Sequence, residues 1–126
     1  MKAVLEGKRV VVVDDSLVRG TTSSKIVKMI REAGAKEIHM RIASPPVIGS
    51  CYFGVDTPTA EELISNKMNV EGICEFIGAD SLAFLSLDGL QRIAGSNCKA
   101  SSYCYGCFTL KYPIDPNPND EEIISY

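Results

Sequence analysis

The stretch that most constrains the fold is VVVVDDSLVRGTTS, residues 10–23. Its valines, Val10 to Val13, are bounded by Lys8 and Arg9 before and by Asp14 and Asp15 after. An uninterrupted β-branched run of this length suits a fully buried parallel strand better than a short helix. Asp14 and Asp15 then leave the sheet at its carboxyl edge, the side on which open α/β sheets bind ligands. The following residues, Ser16 to Ser23, read as a short loop that opens a helix. Such a loop can hold a phosphate, because its amides point outward at the positive end of the helix dipole. Gly20 allows close backbone approach, and Thr21, Thr22 and Ser23 add hydroxyl donors. Adjacent carboxylates can accept the two hydroxyls of a ribose and can hold a hydrated Mg ion. A ribose 5-phosphate satisfies both halves.

A chain of 126 residues allows one domain with its own core. Its net charge of -3 gives no support for nucleic-acid or membrane partners. The sequence has no apolar run of transmembrane length, and MKAVLEGKR lacks the apolar segment of a signal peptide, so a cytosolic protein is expected. Five cysteines, an odd number at uneven spacing, argue against a disulfide framework and leave metal binding or burial. Cys74, on the amphipathic pattern VEGICEFIG, reads as a core residue.

Along the chain, Met1 to Gly7 is a lead-in. Ser23 to Ala33 has helical spacing with Ile26, Met29, Ile30 and Ala33 on one face, and Gly34 is its C-cap. Glu37 to Ala43 alternates as a second strand with Ile38, Met40 and Ile42 on one face, so His39 faces the other way, in a surface or helix-facing role. Ser44-Pro45-Pro46 ends that strand. Val47 to Asp56 is a glycine-bearing loop with room for a short strand. A helix is expected to start at a Thr57 cap, or at Thr59 in a capping box with Glu62, and to reach about Asn66. Asn69 caps the next helix, Val70 to Ile77, which stops at Gly78. Ser81 to Leu87 reads as a third buried strand, Asp88 as the cap of a helix over Gly89 to Ala94, and Ser96 to Cys107 as a loop. The fold expected is α/β, a parallel sheet of about three strands with flanking helices over residues 1–115, followed by an extended acidic tail over 116–126.

Cys104-Tyr105-Gly106-Cys107 is a C-x2-C pair whose spacing lets two thiolates converge on one metal or cluster. A closed site needs four ligands. Cys51, also in a loop, is a candidate third, and Cys98 a candidate fourth.

VVVVDDSLVRGTTS resembles the phosphoribosyl pyrophosphate motif of type I phosphoribosyltransferases, and within that class the amidophosphoribosyltransferases, which open purine synthesis. The resemblance runs from about Val4 to Ile114 and takes in SPPVIGSCYFGVDTPTAEELI, FIGADSLAFLS and SYCYGCFTLKYP. It implies a partial type I phosphoribosyltransferase fold, corresponding to the C-terminal part of the enzyme. The N-terminal glutaminase domain and the first strands of the transferase core lie outside the matched stretch. It also implies transfer of glutamine-derived ammonia to phosphoribosyl pyrophosphate, forming 5-phosphoribosylamine. Carried onto these residues, Asp14 and Asp15 hold ribose and Mg, while Val18, Arg19, Gly20, Thr21, Thr22 and Ser23 cradle the 5-phosphate. Cys51, Cys104 and Cys107 match ligands of a 4Fe-4S cluster whose fourth family ligand precedes the motif, leaving an incomplete set. The expected ligands are phosphoribosyl pyrophosphate or a purine nucleotide. The isolated chain is expected to be inactive and to pair with itself or with the missing N-terminal half. A plant-type origin implies a plastid.

Two other classes fit parts of the pattern. A response-regulator receiver domain also begins with a strand ending in an acid pair, with Asp56 as phospho-acceptor, Ser86 as the hydroxyl and Lys111 as the lysine. It gives no role to Arg19 to Ser23 or to the cysteines. The other is a small metal-binding or interaction module built on the cysteines.

Overall fold

The computed structural model describes residues 2–95 and 103–114. A single turn, α1 (Lys2–Leu5), precedes β1 (Arg9–Asp14), α2 (Thr21–Glu32) and β2 (Glu37–Ile42). Two 3-10 turns, Ala60–Glu62 and Ile64–Asn66, lead to α3 (Val70–Ile77), β3 (Ser81–Phe84), α4 (Leu87–Gly95) and α5 (Gly106–Thr109). The strands form one parallel sheet in the order β1-β2-β3, in register from Arg9 opposite Glu37 to Ile42 opposite Phe84. The expected three-stranded parallel sheet with flanking helices is present.

The core follows from the alternation of β2. Ile38 and Met40 are 0% exposed and Ile42 nearly so, packed with Val27 of α2 and Ile73 and Ile77 of α3. Asn69 caps α3 as expected, its side-chain oxygen accepting from the Gly72 N–H at 2.8 Å, and Gly78 ends it at φ 79°. Among the described residues no helix is long and apolar enough to cross a membrane.

Six expectations need correction. β1 is not fully buried: Val10 and Val12 face the core, but Val11 and Val13, which point to the opposite face of the sheet, are 63% and 71% exposed. In α2 the buried positions are Ser23 and Val27, with Ile30 packed against the core as expected but Met29 exposed, so the inward face is partly turned from the one expected, and the helix begins at Thr21. The stretch 59–66 forms its Thr59–Glu62 capping box but no α-helix. Leu63 is extended at φ -74°, ψ 116°, which breaks the helix and lets Leu63 and Ile64 both bury. β3 stops at Phe84, since β2 ends at Ile42 and leaves only its carbonyl, which accepts from the Leu85 N–H at 2.9 Å. Ser86, not Asp88, caps α4, its Oγ accepting from the Gly89 N–H at 3.0 Å, and Asp88 pairs with Arg92 instead. Finally, the expected loop to Cys107 contains α5. Its residues 96–102, Cys98 included, and the expected tail at 116–126 lie outside the described residues.

A polar knot ties α2 to the start of β2. Asp80 accepts from the Ile38 N–H at 2.7 Å and from Arg31 at 3.1 Å, and Arg31 also donates to the Gly78 carbonyl. The Ile38 N–H first, then Arg31, hold the Asp80 carboxyl below its ordinary value of 3.8. A depressed carboxyl stabilises the fold above its unfolded pKa, and that contribution disappears as pH falls through the folded value. Asp80→Asn is therefore expected to lose stability at neutral pH and to show a weaker acid dependence below the ordinary aspartate range. Urea midpoints of both proteins across that range test this; parallel curves would contradict it.

Candidate functional site

At the carboxyl end of β1 the chain turns sharply. The Asp15 N–H donates to Asp14 Oδ1 at 2.8 Å, and Ser16 Oγ donates to Asp15 Oδ1 at 3.3 Å. The Asp14 carbonyl accepts from the Ala43 N–H, which anchors the strand end to the chain leaving β2. Asp14 is half-buried and Asp15 exposed, so both carboxylates stand at the rim of the sheet. Leu17, 2% exposed, then plugs into the core and pins the loop, while the Val18 carbonyl accepts from the Ile64 N–H at 3.0 Å.

Gly20 is the N-cap of α2 at φ 80°, and no side chain caps the helix. The first-turn N–H groups of Thr21, Thr22 and Ser23 thus have no intrahelical carbonyl to donate to. The run Asp14–Ser23 lines one open hollow of about 540 Å³. Every residue expected in the sugar and phosphate sets therefore borders the same space, with acids at one end and a helix N-terminus at the other. At φ 80° position 20 favours glycine, and a Cβ there would in addition stand 2.9 Å from Ile64 Cδ1 and 3.2 Å from the Phe76 ring.

Several supporting residues escaped the sequence. Leu17 was the one large apolar side chain inside a polar loop, which was a usable signal. Glu62 was recognised only as a capping residue, yet its Oε2 also lies 3.6 Å from the Arg19 guanidinium. Nothing local links Ile64 or Phe76 to Gly20.

The cysteines behave otherwise. Residues 48–50 dock on the α5 region: the Ile48 and Gly49 N–H groups donate to the Cys107 carbonyl, and the Tyr112 hydroxyl donates to the Ser50 carbonyl at 2.8 Å. This brings Cys51 and Cys107 into one neighbourhood. Burial pushes the Cys107 thiol up, and the nearby Cys51 thiol adds to it, with a smaller contribution from Cys104. Even so, among the described residues no three His, Cys, Asp or Glu side chains form a group that could hold a metal ion. Cys51, Cys104 and Cys107 thus share a neighbourhood without forming such a group among the described residues, and Cys98 lies outside them. Cys51 Sγ accepts from the Phe53 N–H and Cys104 Sγ from the Gly106 N–H, so two of the three thiols are engaged in their own turns. Cys74 is half-buried, donates to the Ala79 carbonyl at 3.2 Å and has its thiol pushed up by burial, as a packed structural thiol would.

His39 lies on the sheet face away from the core, between Ser81 Oγ at 2.6 Å and Glu37 Oε2 at 3.0 Å, which agrees with the surface role expected. The receiver-domain alternative finds no support. Asp56 is exposed in a loop rather than at a strand end, Ser86 is occupied in capping α4, and Lys111 is exposed beyond α5.

No family model matches the chain. Over 116 residues it is 68% identical to amidophosphoribosyltransferase 1, chloroplastic, of Arabidopsis thaliana, a match covering 92% of this chain and 20% of that protein. Over 120 residues it is 53% identical to the amidophosphoribosyltransferase of Bacillus subtilis, covering 91% and 25%. The solved structure of the glutamine phosphoribosylpyrophosphate amidotransferase from B. subtilis, complexed with ADP and GMP, superposes with a TM-score of 0.81 over 90% of this chain and 25% of that one. The chain thus spans a fifth to a quarter of the length of the relatives it matches. With sequence and fold agreeing along about 90% of its length, the chain belongs to the amidophosphoribosyltransferase family, as the counterpart of a C-terminal part of its members.

Proposed function

We propose that the hollow at the end of β1 binds the ribose 5-phosphate portion of phosphoribosyl pyrophosphate or of a purine nucleotide. In this proposal the chain contributes that half of an enzyme transferring glutamine-derived ammonia to phosphoribosyl pyrophosphate. The observation that carries it is the sharing of one space by two rim carboxylates and the uncapped first turn of α2. Asp14 and Asp15 accept the ribose hydroxyls, and the N–H groups and hydroxyls of Thr21, Thr22 and Ser23 donate to the phosphate. The two carboxylates also fit Mg, which takes one or two carboxylates and keeps several waters. When bound, Mg neutralises charge developing on the pyrophosphate leaving group.

Binding without turnover is expected of the isolated chain, which matches only a fifth to a quarter of its relatives. Calorimetric titration with ribose 5-phosphate and phosphoribosyl pyrophosphate, with and without Mg, tests the site. Absence of heat at millimolar ligand would overturn it, as would a robust rate of phosphoribosylamine formation for the inactive-chain reading.

The same proposal includes an association surface. The edge of β1 offers unpaired backbone groups next to exposed Val11 and Val13, on a sheet of a type that ordinarily has both faces covered. In the isolated chain a second copy fills this edge. Sedimentation velocity is expected to show concentration-dependent association that Val11→Lys weakens, since an edge lysine blocks strand addition. Equal sedimentation of the two proteins as monomers would dispose of it.

A further inference from the structure

We propose that Glu62 sets the anion affinity of the hollow by holding Arg19, a role that rests on the phosphate-binding reading above. Three contacts seat residues 59–66 behind the loop. The Ile64 N–H donates to the Val18 carbonyl at 3.0 Å, Ile64 Cδ1 closes against Gly20, and Glu62 Oε2 lies 3.6 Å from Arg19. Glu62 is itself held in place, because the same oxygen accepts from the Thr59 N–H at 3.3 Å and from Thr59 Oγ1 at 3.5 Å. Arg19 is the one cation within the run that lines the hollow. The capping box therefore delivers a carboxylate to the one guanidinium among the residues lining the hollow.

Both side chains are more than half exposed, so the pair adds little to folding stability. Its effect falls on the ligand. A guanidinium carries five donors in a fixed fork, and a single carboxylate oxygen at this distance leaves part of the fork free. A bound phosphate then shares Arg19 with Glu62 or displaces it, and in either case meets a negative charge beside its site. Glu62 thus lowers phosphate affinity while keeping Arg19 at the loop.

The test is titration of the full chain with inorganic phosphate and with ribose 5-phosphate at two salt concentrations. Glu62→Gln is expected to tighten both by about 2–5-fold at low salt, the scale of an exposed ion pair, with a smaller gain at high salt. In the Arg19→Gln background most of that gain should vanish, the non-additivity that marks a direct coupling. Thr59→Val, which removes one of the two contacts holding Glu62 without changing charge, should tighten both ligands by less than Glu62→Gln does. If the wild-type chain binds but Glu62→Gln binds no better, or if its gain is undiminished in the Arg19→Gln background, the assignment to Glu62 is wrong while the anion site stands. If neither wild type nor Glu62→Gln binds phosphate, the site falls and this role with it.

Discussion

Met40→Ala is expected to destabilise the fold by about 2–5 kcal/mol, the range for truncating a buried large side chain. Met40 is 0% exposed on the central strand, between Val12 of β1 and Leu82 of β3 in register, with α2 and α3 above it. Its removal opens a cavity where three strands and two helices meet, so little can collapse into the space. Domains of this size are stable by only about 5–15 kcal/mol, so the loss is a large share of the total. Met29→Ala supplies the control. That side chain is 65% exposed on α2, and its loss should stay within about 0.5 kcal/mol. Urea unfolding followed by circular dichroism reads both, and similar midpoint shifts for the two variants would show that the core has been placed on the wrong face.

The other large effect concerns ligand discrimination. Asp14→Asn with Asp15→Asn is expected to weaken ribose 5-phosphate and phosphoribosyl pyrophosphate by about 10²- to 10⁴-fold, from two lost charge-assisted hydrogen bonds of about 1.5–3 kcal/mol each. Inorganic phosphate, which has no diol, should bind the double variant at least as well as the wild type, since two negative charges have left the rim. Dependence on Mg should disappear as well. Both residues stand at the sheet rim, and the asparagine oxygen can still accept from the Asp15 position's N–H, so the fold should survive. A parallel loss of all three ligands would instead mean that the substitutions had collapsed the loop, and retained sugar-phosphate binding would remove the acids from the site.

Much of the site was legible because its residues are contiguous. A strand that ends in two acids and runs straight into a glycine and three hydroxyl residues has few ways to arrange itself, and Asp14 to Ser23 do border one hollow. The supports were not legible in the same way. Ile64 is 44 positions from Gly20 in the chain, and Phe76 farther still, so the side chains that crowd Gly20 lay outside any local window. The cysteines show the converse case. Their spacing suggested convergence, and Cys51 and Cys107 do come near one another, while the Cys51 and Cys104 sulfurs each accept from an N–H of their own turn.

By itself the sequence determined whatever depends on backbone period and end chemistry: the buried face Ile38, Met40 and Ile42, the Asn69 cap, the Gly78 stop and the loop after Asp15. Only the tertiary structure decided the rest. Whether Val11 meets protein or water, whether Val27 or Met29 points inward, and whether Leu63 continues a helix or breaks it depend on which distant surface lies alongside. Hydrogen-bond periodicity is a property of neighbours in the chain, whereas burial and charge pairing, Arg19 with Glu62 among them, belong to neighbours in space.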